Sequence, residues 1–394
     1  MPWNEVKPMD QKIHFVTFCL KGDQSMTELC RLFGISRKTG YKWLDRYERH
    51  GDDGLKDRSR TPQRIPHKSS QDVVDFVIAQ RKKHPTWGGR KIAHKARKIA
   101  PHLDLPSETT LHEIIRRAGL VKPRRRRRQS AHPGRPLTCP EAPNDVWTVD
   151  FKGHFKTRDG CYCYPLTILD EFSRFMLSCQ GLRSTGYDGA IKTFRRVFEE
   201  HGLPQAIKSD NGVPFATTGL ARLSVLSVWW IKLGIRPVQI EPASPSQNGR
   251  HERMHRTLKS ECTLPAQGNL SAQQRRFNAW SDEYNFDRPH EALAGDYPSD
   301  VYQPSRRAYP CKLPAVEYPE HFEVRRVTHA RWFRWHNRPV QVGAALRHED
   351  IGLEQVEDRL WAVYFAWKRI GFLDERKYKI LDDQGRYLRA QTQK

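Results

Sequence analysis

The segment WTVDF at residues 147–151 decides the fold, because it places an aspartate in the middle of the first predicted strand of the central unit. Residues 146–155 alternate between apolar and polar positions, as a half-buried strand does. An ionised Asp150 side chain is normally avoided in the middle of a strand, so we expect a functional reason for it. A hairpin turn and two more strands follow and predict an antiparallel meander; they are Asp159-Gly160, Tyr162 to Leu169 and Arg174 to Cys179.

The pattern then changes to strands that alternate with helices. The predicted elements are a helix from Asp188 to His201, a strand from Ala206 to Ser209, a helix near Leu220 to Leu233, a strand from Pro237 to Ile240 and a helix from Gln247 onward. Residues 144–310 are therefore predicted to form one α/β unit.

Two more carboxylates occupy positions that suit a site. Asp210 lies in SDNG at residues 209–212, directly after a strand, where sites on α/β sheets collect. Glu252 lies in the first turns of a helix that follows PSQNG at residues 245–249. Two carboxylates about 4 Å apart repel each other by roughly 4 kcal/mol at an effective dielectric constant of about 20, so three together need a compensating cation.

A divalent cation removes this repulsion, and hard oxygen ligands suit Mg²⁺ or Mn²⁺. Two such ions roughly 3.5 to 4 Å apart can activate an attacking oxygen and stabilise the leaving oxygen of a phosphodiester. The carboxylates therefore predict a catalytic phosphoryl-transfer site. We expect Asp150 to bridge two ions while Asp210 and Glu252 each complete one site, and we expect no small-molecule cofactor.

The helix that carries Glu252 also predicts contacts with DNA. Side chains at i, i+3, i+4 and i+7 share one helix face, and here they are Glu252, His255, Arg256 and Lys259. A metal-binding carboxylate with basic side chains further along suits DNA phosphates that run past the ions. The alternative is a surface helix on which glutamate and arginine pair with each other.

The composition indicates a polyanionic partner. The sequence contains 68 Lys and Arg against 45 Asp and Glu, a formal net charge of +23. This charge repels itself unless nucleic acid shares the surface; charge that only keeps the protein soluble is the alternative. The sequence has no apolar run of about 18 residues that would predict a membrane span, and its N-terminal MPWNEVKPMDQK lacks a signal core. We therefore expect a cytoplasmic protein bound to double-stranded DNA.

Residues 1–56 predict a helix-turn-helix domain. Three helices are expected between Gln11 and His50, the middle one from Thr27 to Phe33, followed by Gly34 as the turn. Ser36 suits the N-cap of the third helix. The residues expected to reach phosphates and base edges are Ser36, Arg37, Lys38, Thr39, Tyr41 and Lys42. A small helical bundle with a basic surface is the alternative.

A linker at residues 57–69 is predicted to lead into a second helical, helix-turn-helix-like unit at residues 70–121. Its helices are expected from Gln71 to His84, from near Trp87, and after a cap at Ser107. This unit is either a second DNA reader or a spacer.

Residues 122–143 form a basic, proline-rich segment that is predicted to be an extended linker. Its basic run is expected to contact phosphates, unless it is only a solvated linker or a localisation signal. The run consists of Arg124, Arg125, Arg126, Arg127 and Arg128.

The segment from 317 to 394 contains short strand candidates that fit a small β-barrel best. Its aromatic side chains are expected to fill the core, because so small a domain needs large side chains inside it. They are Trp332, Trp335, Trp361, Tyr364, Phe365 and Trp367.

Several ordered motifs carry a family resemblance. They are WTVDFKG at 147–153, SDNG at 209–212, PSQNGRHER at 245–253, HRTLK at 255–259, and YN at 284–285 with RPH at 288–290. At these residues the sequence resembles the DDE transposases of bacterial insertion sequences, whose catalytic domain is similar to retroviral integrase. The resemblance implies a ribonuclease-H-like fold, a metal-binding triad of Asp150, Asp210 and Glu252, and Lys259 as a neighbour that contacts DNA. It also implies that the helix-turn-helix domain reads element ends.

One departure concerns the interval between Asp210 and Glu252, which is longer than is usual in this family. We expect the extra residues between Phe215 and Trp229, as an added turn of helix that leaves the triad intact. Asp170 is an alternative second carboxylate, although turn capping explains it adequately.

The combined prediction is a multidomain transposase that binds the ends of a mobile element and cuts and joins DNA strands. Because two DNA ends must be joined, a dimer or larger homo-oligomer on DNA is expected. The alternatives are a DNA-binding regulator without catalysis, a metal nuclease that hydrolyses DNA without joining it, and a degenerate element copy.

Overall fold

The computed structural model describes residues 8–57, 68–121, 137–241, 247, 249–383 and 385–387. The chain divides into two compact units, residues 1–68 and residues 69–394. Within the described ranges, no helix has the length and apolar character that crossing a membrane requires. The finer domain boundaries expected from the sequence stay predictions.

The N-terminal unit contains three helices, α1 (Pro8–Lys21), α2 (Met26–Leu32) and α3 (Arg37–His50), as predicted. Gly34 makes the turn before α3 with a φ of +64°, which glycine adopts without strain. Ser36 caps α3, because its side chain accepts a hydrogen bond from the Thr39 N–H at 3.2 Å. The helix-turn-helix arrangement is confirmed.

Three more helices open the larger unit: α4 (Gln71–Lys83), α5 (Gly89–Ile99) and α6 (Glu108–Arg117). Ser70 and Ser107 cap α4 and α6 through their side chains. These helices pack around a small apolar core that includes Val77, Trp87 and Leu111. The helices therefore begin where the sequence predicts them.

A six-stranded mixed sheet follows, with helices on both of its faces. Its strands are β1 (Val146–Phe151), β2 (Phe155–Lys156), β3 (Tyr162–Asp170), β4 (Met176–Leu182), β5 (Ala206–Ser209) and β6 (Arg236–Gln239). Its helices are α7 (Tyr187–His201), α8 (Val225–Lys232), α9 (Gly249–Leu258), α10 (Leu270–Phe286) and α11 (Pro298–Val301).

Strands β1 and β2 pair in succession with one edge of β3, and β4 pairs with its other edge. On the far side of β1 the order continues with β5 and then β6. Strands β1, β3 and β4 form the predicted antiparallel meander, whereas β5 runs parallel to β1 and to β6. The first strand is shorter than expected, because Gly153 has a φ of +77° and separates β1 from β2. The result is a mixed α/β sheet in which β1 lies between β3 and β5.

Two apolar cores cover the two faces of this sheet. On one face, Trp147 and Val149 pack with Phe194 of α7 and Trp230 of α8. On the other face, Met176 and its neighbours pack with α9 and α10 through a second cluster that includes Met254, Leu258, Phe277 and Trp280. Because side chains alternate along a strand, Thr148 and Asp150 point toward the face that α9 covers.

The C-terminal strands do not confirm the predicted barrel. They are β7 (Glu323–Arg326), β8 (Trp332–Trp335), β9 (Arg338–Gln341), β10 (Asp350–Glu357), β11 (Leu360–Phe365), β12 (Lys368–Asp374) and β13 (Lys379–Leu381). They pair as a five-stranded sheet, β13-β12-β11-β10-β7, and a separate β8-β9 hairpin. A barrel needs one continuous ladder of hydrogen bonds, and these two sheets instead share an apolar core.

The predicted aromatic core is present only in part. Trp335 and Phe365 are buried, whereas Trp367 is 51% exposed. The extra residues between Asp210 and Glu252 reach the same core: Leu220 and Leu223 pack there beside Phe333. These residues form a short 3₁₀ turn rather than an extension of the following helix, because Ser224 caps α8 and starts it anew.

The second helical unit, α4 to α6, meets the end of α10 through ion pairs. Lys95 pairs with Asp287, and His84 Nδ1 lies 3.0 Å from a carboxylate oxygen of Glu283. Lys98 pairs with Asp296 at 3.1 Å. Basic side chains of α5 are therefore partly neutralised inside the protein.

Asn285 joins α10 to the edge strand β4, and its replacement tests this connection. Its Oδ1 accepts from the Met176 N–H at 2.8 Å, and its Nδ2 donates to the Met176 carbonyl at 2.9 Å. Asn285→Ala leaves both buried groups without these partners, so the free energy of unfolding should fall by about 2–4 kcal/mol. Urea unfolding followed by tryptophan fluorescence measures this loss.

The control is Asn278→Ala, at an exposed position of α10, which should change the free energy of unfolding by less than about 0.5 kcal/mol. Equal losses in both variants would contradict the predicted role of Asn285.

Candidate active site

Asp150 and Asp210 lie on neighbouring parallel strands. The register places Val149 opposite Ser209, so the next residue of each chain segment emerges at the same edge of the sheet. The Gly212 N–H donates to Asp210 Oδ1 at 3.2 Å and holds this carboxylate at the strand end. The sheet topology therefore brings two of the three predicted carboxylates together.

The electrostatics of Asp150 reflect this arrangement. Burial, followed by the charge of Asp210 and, more weakly, that of Glu252, raises the pKa of Asp150 to about 7. Burial also raises the pKa of Asp210, against the hydrogen bond from Gly212. Carboxylates whose charged forms are disfavoured in this way are suited to a site that gains a cation.

Glu252 lies on the first turn of α9, and its side chain is exposed. Its charge acts on Asp150, but a tighter group forms without it. Ligand atoms of Asp150, His251 and His255 all lie within 4.8 Å of one another. The structure thus groups Asp150 with two histidines, and Glu252 acts on Asp150 through its charge.

The contacts of His251 with the sheet were not predicted from the sequence. Residues i and i+4 share a helix face, so His251 and His255 both point from α9 into the sheet. His251 Nδ1 lies 2.9 Å from the Thr148 hydroxyl, and both rings contact the Thr167 hydroxyl through Nε2, at 2.7 and 2.8 Å. Spacing alone could have paired the histidines, but only strand pairing supplies the threonines.

A buried ion pair anchors the start of α9. Glu171, at the end of β3, lies 2.8 Å from Lys208 Nζ and 3.0 Å from an Arg250 guanidinium nitrogen. Lys208 and Glu171 are both almost fully buried, and Lys208 Nζ also donates to the Gln247 carbonyl at 3.4 Å. These contacts fix the residues that precede Glu252 relative to the sheet.

Asp170 has a structural explanation. Its carboxylate accepts hydrogen bonds from the Asn144 N–H at 2.8 Å and from the Ser173 N–H at 2.7 Å. It lies opposite Trp147, whereas Asp150 lies opposite Thr167 on the same pair of strands. Turn capping therefore accounts for Asp170, as expected.

The predicted DNA contacts fall into three groups. Arg37, Lys38, Tyr41 and Lys42 are exposed near the start of α3, where Ser36 and Thr39 hydrogen-bond to each other at 2.9 Å. On α9 and the π turn that follows it, Arg256 and Lys259 are exposed, whereas His255 is only 5% exposed. The burial of His255 favours contact with Asp150 over contact with DNA. The arginine run at 124–128 lies outside the described residues.

The residues at this site fit a divalent cation. The carboxylates of Asp150 and Asp210 supply hard oxygen donors, and Glu252 supplies a third at the start of α9. A cation bound between such carboxylates stabilises their ionised forms, because it removes the repulsion that raises the pKa. The donor set therefore fits Mg²⁺ or Mn²⁺.

Comparison with known families agrees with this geometry. Residues 140–245 match a family model described as an integrase core domain, and residues 233–298 match a second model of the same description. The two matched ranges together span residues 140–298, which are called the integrase core from here on. Residues 11–62 match a helix-turn-helix domain, and residues 39–115 match a homeodomain-like domain.

Relatives of the integrase core occur in insertion elements. An uncharacterized 31.7 kDa protein of insertion element IS407 from Burkholderia multivorans is 29% identical over 194 residues, which are 48% of this chain and 67% of that protein. An uncharacterized 39.2 kDa protein of IS476 from Xanthomonas euvesicatoria is 24% identical over 233 residues, 58% of this chain and 64% of that protein. The resemblance to insertion-element proteins is confirmed over about two thirds of each relative's length.

Among solved structures, the HTLV-2 integrase catalytic core domain in complex with magnesium is similar to the integrase core. It has 17% sequence identity and a TM-score of 0.33, and it covers 43% of this chain and 100% of the viral chain.

Asp150→Asn is expected to stabilise the protein at pH 8 when divalent cations are removed with EDTA. A carboxylate whose pKa is raised on folding stabilises the folded state below its unfolded pKa near 4, and this contribution is lost as the pH rises through about 7. Asparagine carries no charge at pH 8 or at pH 4, so the variant lacks this pH dependence. The gain should be roughly 1–3 kcal/mol at pH 8 and should approach zero at pH 4, as measured by urea unfolding.

Asp159→Asn provides a control of opposite sign. The hydrogen bond from the Thr157 hydroxyl lowers the pKa of exposed Asp159, so its charged form favours the folded state. This variant should lose stability at pH 8. A loss of the same size for Asp150→Asn would contradict the proposed repulsion at Asp150.

Proposed function

We propose that this chain is a transposase that binds the ends of a mobile DNA element and catalyses metal-dependent strand cleavage and strand transfer. The observation that carries the proposal is the placement of Asp150 beside Asp210 within an integrase core. The helix-turn-helix match and the insertion-element relatives support the same function. A regulator without catalysis would not need carboxylates gathered against their own repulsion.

Asp150, Asp210 and Glu252 are the proposed metal-binding catalytic residues. Two Mg²⁺ or Mn²⁺ ions, when bound, would activate the attacking oxygen and stabilise the leaving oxygen. The protein's part would be to hold Asp150 and Asp210 at one edge of the sheet, with Glu252 on α9, and to keep α9 fixed through the Glu171–Lys208 pair. Preorganised charge of this kind is the main protein contribution in phosphoryl transfer.

The proposed reaction has two steps. Water attacks a phosphorus atom at the element end, the bond to the 3′-oxygen breaks, and a 3′-hydroxyl and a 5′-phosphate result. That 3′-hydroxyl then attacks a phosphorus atom of the target, and the target's own 3′-oxygen leaves. The second step exchanges one phosphodiester for another and consumes no water.

Basic side chains would carry the DNA past this site. Arg256 and Lys259 are exposed after Glu252, so they would contact phosphates next to the reacting bond. The exposed start of α3 would read element ends in the major groove, and the arginines at 124–128 would contact the intervening backbone. Since two ends must be joined, the active form would be a homo-oligomer on double-stranded DNA.

Neutral variants of the three carboxylates test the proposed chemistry. Asp150→Asn, Asp210→Asn and Glu252→Gln should each lower cleavage and strand transfer by roughly 10³-fold or more, because each removes a ligand charge. End binding should remain near normal. The assay combines purified protein, Mg²⁺ and short duplexes from the element ends, and it separates cut and joined products on a gel.

The matched control for this assay is Glu199→Gln, at an exposed position on α7. It should retain full activity. Retained activity in Asp150→Asn would remove the triad from the proposal. Cleavage without any joined product would indicate a metal nuclease rather than a transposase.

The helix-turn-helix contacts predict a steep response to salt. Neutralisation of 6 to 10 phosphates should cost roughly 10³- to 10⁵-fold in affinity between 50 and 200 mM salt. Arg37→Ala and Lys38→Ala should each weaken end binding and reduce the slope of log K against log salt by about 0.9. Fluorescence anisotropy with labelled DNA measures both quantities.

Arg49→Ala is the control, because Arg49 lies at the other end of α3 and pairs with Asp45 at 2.6 Å. For Arg49→Ala, the slope of log K against log salt should match that of the unmodified protein. A flat salt response of the unmodified protein would refute phosphate binding as the source of affinity.

A further inference from the structure

The hydrogen bonds of Thr167 determine which nitrogens of the two buried histidines carry protons. A hydroxyl has one proton to donate and two lone pairs to accept with. The Thr167 Oγ1 donates to the Asp150 carbonyl at 3.0 Å, and a carbonyl can only accept. The two remaining contacts, from His251 Nε2 and His255 Nε2, must therefore be donated by the rings.

A neutral imidazole carries one ring proton, and in both histidines this proton lies on Nε2. Both Nδ1 atoms are therefore unprotonated and can only accept. His251 Nδ1 uses its lone pair on the Thr148 hydroxyl at 2.9 Å. His255 Nδ1 instead faces Oδ2 of Asp150 at 3.8 Å. This distance is too long for a hydrogen bond, and both atoms are electron-pair donors when the carboxylate is ionised.

Two electron-pair donors that face each other across this distance suit a cation between them. Ligand atoms about 2.1 Å from a metal ion are roughly 3.0 Å apart at octahedral angles and 3.4 Å apart at tetrahedral angles. A small closure of α9 toward β1 would bring His255 Nδ1 into this range. His251 differs, because both of its nitrogens already bind hydroxyls.

We propose that His255 Nδ1 is an imidazole ligand of the divalent cation held by Asp150, which gives this integrase core a mixed nitrogen and oxygen site. The proposal rests on the proposed function, since it deepens the metal site of that reaction. Thr167 is the positioning residue, because its hydroxyl holds the proton-bearing Nε2 and turns Nδ1 toward Asp150.

The chemical consequence is metal preference. Mg²⁺ favours oxygen ligands and retains its waters, whereas Mn²⁺, a transition metal that also binds oxygen, accepts an imidazole nitrogen more readily than Mg²⁺ does. The site should therefore bind Mn²⁺ more tightly than a site of carboxylates alone, and a bound Mn²⁺ should couple magnetically to one imidazole nitrogen.

Two substitutions of His255 separate the ligand atom from the structural hydrogen bond. The amide nitrogen of glutamine reaches the position of Nε2, so His255→Gln keeps the donor to Thr167 and loses the ligand at Nδ1. The shorter asparagine places its amide oxygen near Nδ1, so His255→Asn replaces the nitrogen ligand by oxygen. The full-length protein is titrated with Mn²⁺ and with Mg²⁺ by calorimetry, and pulsed electron paramagnetic resonance detects nitrogen bound to Mn²⁺.

The expected result is a nitrogen signal in the unmodified protein and its loss in both variants. His255→Gln should bind Mn²⁺ about 10- to 100-fold more weakly. His255→Asn should retain binding with a smaller preference for Mn²⁺ over Mg²⁺. His321→Gln, at an exposed position in the C-terminal part of the chain, should retain both the affinity and the nitrogen signal. Melting temperatures show whether each variant is folded.

The outcomes distinguish this proposal from the proposed function. If Asp150→Asn abolishes Mn²⁺ binding while His255→Gln binds as the unmodified protein does and keeps the nitrogen signal, the histidine ligand is refuted and the carboxylate site stands. If Asp150→Asn leaves Mn²⁺ binding unchanged, the metal site of the proposed function fails, and the histidine ligand fails with it.

Discussion

The parallel pairing of β1 with β5 is the constraint on which the site depends. Because Val149 lies opposite Ser209, the next residues of the two strands, Asp150 and Asp210, emerge side by side. Burial raises the pKa of both carboxyl groups, and the charge of Asp210 raises that of Asp150 further. The fold tolerates this repulsion because an apolar core that includes Trp147, Val149 and Ile207 packs both strands on one face of the sheet.

The helix α9, which carries Glu252, is held by polar contacts as well as by the apolar packing of Met254 and Leu258. The Glu171–Lys208 pair is buried at its start, and two histidines bind threonine hydroxyls along its inner face. Buried polar groups destabilise the folded state unless their hydrogen bonds are formed. Each of these contacts therefore favours one position of α9 on the sheet. The inner face of α9 therefore contacts the strand that carries Asp150, while its outer face carries the exposed side chains of Glu252 and Arg256.

Two different forces attach the flanking parts to the integrase core. The C-terminal sheets share an apolar core with Leu220 and Leu223, which lie in the interval between Asp210 and Glu252. The second helical unit instead meets α10 through ion pairs such as Lys95 with Asp287. Part of the high positive charge is thus used inside the protein. The remainder, including the exposed start of α3, is available to a polyanion.

The sequence by itself determined most helix starts, the meander and the three candidate carboxylates, because caps, turn residues and motif spacing are local signals; the start of α8 at Val225 was an exception. It could not determine that Thr167 lies opposite Asp150, or that the C-terminal strands form two sheets, because both depend on pairing between distant segments. The inward direction of His255 was equally hidden, since the same helical spacing allows an outer face. Only packing of α9 against the sheet decided which side chains meet the carboxylates, because burial of Met254 and Leu258 fixes the rotation of that helix.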